Sequence, residues 1–128
     1  ETAIDRDLLP AVLIVDDQPP FRAVARTVAK IAFAGAEITE TETGEDAVRQ
    51  AEAVGATLVL MDINLPGING LEATRQIVDA RPGTVVILMS TYDVGSLPAD
   101  AATCGAARYV HKEDLSPAVL QDVWRESA

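Results

Sequence analysis

Apolar runs of strand length alternate with segments of helical period along most of the chain. AVLIV at 11–15 is apolar at every position, as a parallel strand buried on both faces requires. From Phe21 the period changes: Phe21, Val24, Ala25, Val28, Ile31 and Ala32 fall on one helical stripe, with Arg22, Arg26 and Lys30 off it. Pro19-Pro20 opens this helix, where a missing N–H does no harm, and Gly35 closes it. AEITET at 36–41 alternates and is less apolar, the pattern of an edge strand. A short helix over 44–54 turns Ala47, Val48 and Ala51 inward and ends at Gly55. TLVLM at 57–61 is the third strand; Asn69-Gly70 opens a third helix marked by Leu71, Thr74, Ile77 and Val78, and Pro82-Gly83 closes it. TVVILM at 84–89 is the fourth strand and the most apolar. The fourth helix is weakly marked, because Gly95 and Pro98 disturb it, and is placed between Pro98 and Gly105. ARYVH at 107–111 is the fifth strand. Ser116-Pro117 is an N-cap followed by Pro at the first helical position, and Val119, Leu120, Val123 and Trp124 form the inward stripe of the fifth helix.

Five strands each followed by a helix predict an α/β fold, a right-handed, doubly wound parallel sheet. No internal repeat, low-complexity tract or linker divides the chain, so residues 1–128 are expected to be one domain with its core at about 11–126. A composition 48% hydrophobic and 23% charged is that of a globular chain. The net charge of -10 argues against this segment gripping nucleic acid, and suits cations or a partner with a basic docking surface. One cysteine, Cys104, allows no internal disulfide or multi-cysteine zinc site, and is expected to be a small buried apolar residue in a reducing compartment. No apolar run approaches the ~20 residues of a membrane span and no signal peptide is visible. Because the sequence starts at Glu1 without Met, it is expected to be a fragment.

In a doubly wound sheet the active crevice lies beyond the carboxyl ends of the strands. Here those ends carry Asp16-Asp17, Asp62, Ser90-Thr91 and Lys112. Each alone has an ordinary structural reading, since acidic residues cap strands and helices and a lone lysine solvates a loop. Their joint occurrence is harder to dismiss. Three converging carboxylates repel by roughly 4 kcal/mol per pair at ~4 Å and an effective dielectric near 20, so positive charge must sit among them. Hard oxygen ligands with room for water suit Mg²⁺. Lys112 adds a point charge able to meet a phosphate. A carboxylate so placed, Asp62, is a nucleophile suited to accept a phosphoryl group.

With these residues in place the sequence resembles a receiver domain of a two-component response regulator, from Ala11 to about Trp124. VDDQPPFR resembles the family's acidic pair, MDINLPGING its phosphoacceptor turn, ILMST its switch hydroxyl and ARYVHK its aromatic-plus-lysine end. KEDLSP and STYD, with VDDQPPFR, resemble the subfamily that carries a LuxR-type helix-turn-helix output domain. The resemblance implies a flavodoxin-like (βα)5 fold with strand order 2-1-3-4-5. It implies Asp62 as phosphoacceptor, Asp17 as a direct Mg²⁺ (or Mn²⁺) ligand with Asp62, Asp16 as a ligand through water, and Asn64 as a ligand through its backbone carbonyl. Ser90 is then the switch hydroxyl, Tyr109 the aromatic that changes rotamer, and Lys112 the phosphate contact. Tyr92 lies where family members tune dephosphorylation. A sensor histidine kinase is the implied phosphodonor. The output face is the fourth helix, fifth strand and fifth helix; a homodimer would form through it or through the first and fifth helices. The protein is then a cytoplasmic signalling domain that catalyses only its own phosphorylation and dephosphorylation, with any C-terminal output domain outside this chain.

Three rival readings compete. A dehalogenase-type phosphatase would place its Asp on the first strand within DxD spacing, whereas this strand ends in DDQ. A flavin or nucleotide module would need a Gly- or hydroxyl-rich loop after the first strand, whereas DDQPP is acidic. A receiver that binds partners without phosphorylation keeps the same residues. Outside the site, Trp124 is expected to anchor the last helix. His111, the only histidine, is read as a surface or edge residue.

Overall fold

The computed structural model describes residues 8–127. Five parallel strands form one sheet in the order β2-β1-β3-β4-β5: β1 (Val12–Val15), β2 (Ile38–Thr41), β3 (Leu58–Asp62), β4 (Val85–Ser90) and β5 (Arg108–His111). This is the doubly wound order expected from the sequence. Alternate residues of the three central strands feed two separate cores. Val12, Ile14, Leu58, Leu60, Ile87 and Met89 face α1 (Pro19–Ala32) and α4 (Pro117–Glu126). Leu13, Val15, Val59, Met61, Val86 and Leu88 face α2 (Gly44–Ala53) and α3 (Gly70–Ala80). The central strands β1, β3 and β4 are therefore buried at every position, and their apolar runs follow from that. β2 lies at an edge and is only partly covered. None of the described helices is long and apolar enough to cross a membrane.

The starts of α1, α3 and α4 match their sequence signals, and Thr43 adds a cap to α2. Pro19 and Pro20 occupy the first turn of α1, and the side chains of Thr43, Asn69 and Ser116 accept amide hydrogens of Asp46, Glu72 and Val119 at the starts of α2, α3 and α4. Trp124 is buried on α4, edge-on to Phe33 with ring centroids 6.3 Å apart. Cys104 is buried and free.

Two expectations are corrected. The fourth helix does not form as an α-helix: two 3-10 turns, Val94–Ser96 and Ala99–Ala102, stand in its place. Pro98 is extended at the second turn's start, and the Ala101 and Thr103 amides bond back three residues to the Pro98 and Asp100 carbonyls. Glycine inside the first segment and proline between the two leave no continuous ladder to propagate a helix. The expected output face is thus built from these turns, β5 and α4, and the helix expected fifth in the chain is the fourth.

The other correction concerns the buried stripe of α1. Val24 is 52% and Ile31 65% exposed, while Ala25, Ala29 and Ala32 are buried, flanked by Phe21 and Val28. A seam of alanines lets the helix axis approach the sheet closely, which rotates the larger Val24 and Ile31 outward.

Candidate functional site

The carboxyl ends of β1, β3, β4 and β5 lie along one edge of the sheet and bring the predicted groups together. Asp16 follows β1 and is fully buried; its Oδ1 accepts the Gln18 amide hydrogen at 2.8 Å, tightening the turn into α1. Asp17, the next residue, is exposed. Asp62 is the last residue of β3 and is buried, its Oδ1 accepting the Asn64 amide hydrogen at 3.2 Å. A carboxylate oxygen from each of Asp16, Asp17 and Asp62 lies within 4.8 Å of the others.

Lys112, directly after β5, reaches across the edge. Its Nζ donates to Asp16 Oδ2 at 2.7 Å and to Asp62 Oδ2 at 3.5 Å. The ammonium also lies 4.4 Å from the centroid of the Phe21 ring, in the first turn of α1. One ammonium thus faces three carboxylates, leaving a local charge near -2. The Asp62 carboxyl is pushed up to about 6. Burial is the largest cause and the Asp16 charge adds to it, while Lys112 and the Asn64 amide pull the other way. An all-oxygen donor set with unmet negative charge and one solvent-facing member fits a small hard divalent cation that retains waters.

The residues around the acids form a second network. Ser90 ends β4 and is buried; its Oγ accepts the Tyr92 amide hydrogen at 3.0 Å, which leaves the hydroxyl proton able to turn to another acceptor. Tyr109 on β5 is half-buried, and its hydroxyl donates to the Ser90 carbonyl at 3.2 Å and to the Tyr92 carbonyl. Burial raises the pKa of this phenol. Asn64 is exposed, and its Oδ1 accepts from the Tyr92 hydroxyl at 3.4 Å, so that the β3 and β4 exits are linked over the mouth of the site. His111, expected at the edge, is half-buried: Nδ1 accepts the Glu113 amide hydrogen at 3.1 Å and Nε2 meets the Thr91 carbonyl at 3.0 Å.

All seven residues singled out from the sequence therefore lie on this edge or in the loops that leave it. Two further residues meet the site: Phe21, which the sequence pattern places on the core stripe, and Arg22, an off-stripe cation whose Nη1 donates to the Asp16 carbonyl at 2.7 Å. No sequence period marks either role, because both depend on the first turn of α1 lying against the exit of β1.

A family model for the response regulator receiver domain matches residues 12–123. Response regulator UvrY of Escherichia coli O6:H1 is 38% identical over 101 residues, covering 79% of this chain and 46% of its own length. Transcriptional regulatory protein DegU of Brevibacillus brevis is 31% identical over 112 residues, covering 88% of this chain and 48% of its own length. The chain thus spans about half the length of the curated relatives it matches. A solved DNA-binding response regulator of the LuxR family from Staphylococcus aureus has a TM-score of 0.78 at 27% identity, covering 93% of this chain and 98% of that one. The order of the sheet, the acids at its carboxyl edge and the sequence match over 12–123 agree, and the chain belongs to the response regulator receiver domain family, with the LuxR-family regulators among the proteins it resembles.

Proposed function

We propose that this receiver accepts a phosphoryl group on Asp62 from a phosphohistidine of a sensor kinase. The observation that carries the reading is Asp62 itself, a buried carboxylate at a strand end, 3.5 Å from the Lys112 ammonium and clustered with two further acids. An Asp62 oxygen attacks phosphorus, the P–N bond to the donor histidine breaks, and an acyl phosphate forms. Mg²⁺ (or Mn²⁺), held by the Asp17 and Asp62 carboxylates, the Asn64 backbone carbonyl and Asp16 through water, would neutralise charge on the phosphoryl oxygens. Lys112 is already aimed at Asp62 and supplies a fixed cation to the same oxygens.

The acyl phosphate is a new acceptor at the end of β3. Ser90 would turn its hydroxyl toward it and give up the Tyr92 amide, which loosens the turn that the Tyr109 hydroxyl now grips. Tyr109 then changes rotamer, and the face of 3-10 turns, β5 and α4 presents a different surface. We propose that this face controls dimerisation and, through a DNA-binding output domain of the LuxR type, transcription in the cytoplasm. The protein acts as a switch rather than a turnover enzyme.

Intact-mass spectrometry after incubation with acetyl phosphate tests the reading, with and without Mg²⁺, on the parent and on Asp62→Ala. The expected result is a Mg²⁺-dependent gain of one phosphoryl group that the variant lacks. No gain in the parent under any condition would leave a binding module with a receiver's shape.

A further inference from the structure

Among the three acids, Asp17 is the one that nothing fixes: its carboxylate has no hydrogen bond or ion pair among the described residues, whereas Asp16 and Asp62 are each held by a backbone amide and by Lys112. Whether it can reach the other two acids therefore depends on where the backbone places its Cα–Cβ bond. The Asp16 carbonyl belongs to the peptide unit that joins Asp16 to Asp17. That carbonyl accepts a hydrogen bond from Arg22 Nη1 at 2.7 Å. Arg22 is held in turn from the far side. Its Nε pairs with Glu40 Oε1 at 3.2 Å on β2, its Nη1 lies 3.5 Å from Glu42 Oε1, and its side chain is only 15% exposed. A guanidinium with donors on several nitrogens can meet a carbonyl and a carboxylate in one fixed geometry, which an ammonium on a flexible stem cannot.

From this arrangement we infer that Arg22 is a positioning residue for the divalent-cation site: by fixing the Asp16–Asp17 peptide plane against β2 it aims the Asp17 carboxylate at Asp16 and Asp62. The inference rests on the reading of these three acids as the Mg²⁺ site. Its sign is distinctive. Arg22 is a cation close to a cation site, so on charge alone its removal strengthens Mg²⁺ binding. Positioning demands the opposite. Substituting a group that orients a metal ligand costs about 10–100-fold in affinity. Because Arg22 acts through the peptide rather than on the carboxylate, and the charge effect opposes it, we expect a smaller loss than that range, about threefold to tenfold.

The test is Mg²⁺ binding measured by isothermal calorimetry on unphosphorylated protein, comparing the parent with Arg22→Met and Arg22→Lys. Met keeps a long apolar stem for packing and removes every donor. Lys keeps the charge and one reach toward the carbonyl. The expected order is parent tightest, Arg22→Lys intermediate and Arg22→Met weakest, with cooperative thermal unfolding of all three checked by circular dichroism. Equal or tighter binding by Arg22→Met would overturn the inference and leave Arg22 as a surface ion-pair residue. Failure of the parent to bind Mg²⁺ at all would overturn the site and the inference together, so the two failures are distinguishable. An Arg22→Met protein that has lost cooperative unfolding shifts the decision to Arg22→Lys, for which parental affinity or better likewise overturns the inference.

Discussion

Asp62 shows how one residue can be costly to the fold at the position the proposed chemistry needs. Its carboxyl is raised from 3.8 to about 6, chiefly by burial, so the folded state holds its proton more tightly than the unfolded chain does. A group raised in this way contributes its full stability below the unfolded pKa and loses it as pH rises through the folded one. In the absence of divalent cation, the parent should therefore lose stability between about pH 4 and pH 6 on account of Asp62, by at most about 3 kcal/mol. Asp62→Asn keeps the shape and removes the ionisation. It should be more stable than the parent at pH 7.5 by about 1–3 kcal/mol, with the difference shrinking toward zero near pH 4. Urea denaturation of both proteins at pH 4, 5, 6 and 7.5 in chelator checks this. A constant difference across the series would place its cause elsewhere than the ionisation of Asp62. The same discomfort makes the residue legible in sequence. A carboxylate at the exit of LVLM is unexplained by the apolar pattern around it, and the explanation lies in Lys112, 50 residues away. Arg22 and Phe21 offered no such anomaly, since a cation and an aromatic at the start of an amphipathic helix already fit the helical pattern.

At the scale of elements, the site is built by close approach of backbone to backbone. A Cβ on Gly70, the first residue of α3, would lie 2.1 Å from the Asp62 carbonyl oxygen, and the Gly70 amide donates to the Ile63 carbonyl at 2.9 Å. Gly70→Ala should therefore destabilise by about 2–4 kcal/mol, and because relief requires moving the end of β3, phosphorylation by acetyl phosphate should slow even where the variant is fully folded. Gly95 is the matched control: a Cβ there meets nothing within 4 Å, so Gly95→Ala should lie within about 1 kcal/mol of the parent. Thermal melts and a phosphorylation time course on the two variants read both effects, and equal behaviour of the pair would remove the close approach as a constraint. The strands and capped helices were readable because each carries a local signal: a continuous apolar run, a Ser, Thr or Asn cap, or a proline in the first turn. The segment after β4 has none of these beyond Pro98, and its short bonds settle into 3-10 turns. The α1 stripe was misassigned for a different reason. Hydrophobicity alone favours Val24 and Ile31 as inward residues, whereas packing against the sheet favours the small Ala25, Ala29 and Ala32.

For the whole molecule, the net charge of -10 makes cation binding and general screening easy to confuse. Any added salt relieves self-repulsion of an acidic domain, and it acts over the whole surface. A divalent cation held by Asp16, Asp17 and Asp62 acts differently, because it binds the folded state at a place the unfolded chain does not assemble. Its stabilisation grows with the logarithm of concentration, reaching about 1.4 kcal/mol at ten times the dissociation constant. For a domain of this length that is a rise in Tm of roughly 5 °C. The measurement is a series of melts at constant ionic strength, with NaCl replaced progressively by MgCl₂ near pH 7.5. The parent should show the logarithmic rise. Asp17→Asn should show a much smaller one, because it removes a charged oxygen of the set while leaving the buried Asp16–Lys112 pair intact. A rise of equal size in both proteins would mean that Mg²⁺ acts through the acidic surface at large, and the carboxyl edge of the sheet would lose its standing as a metal site.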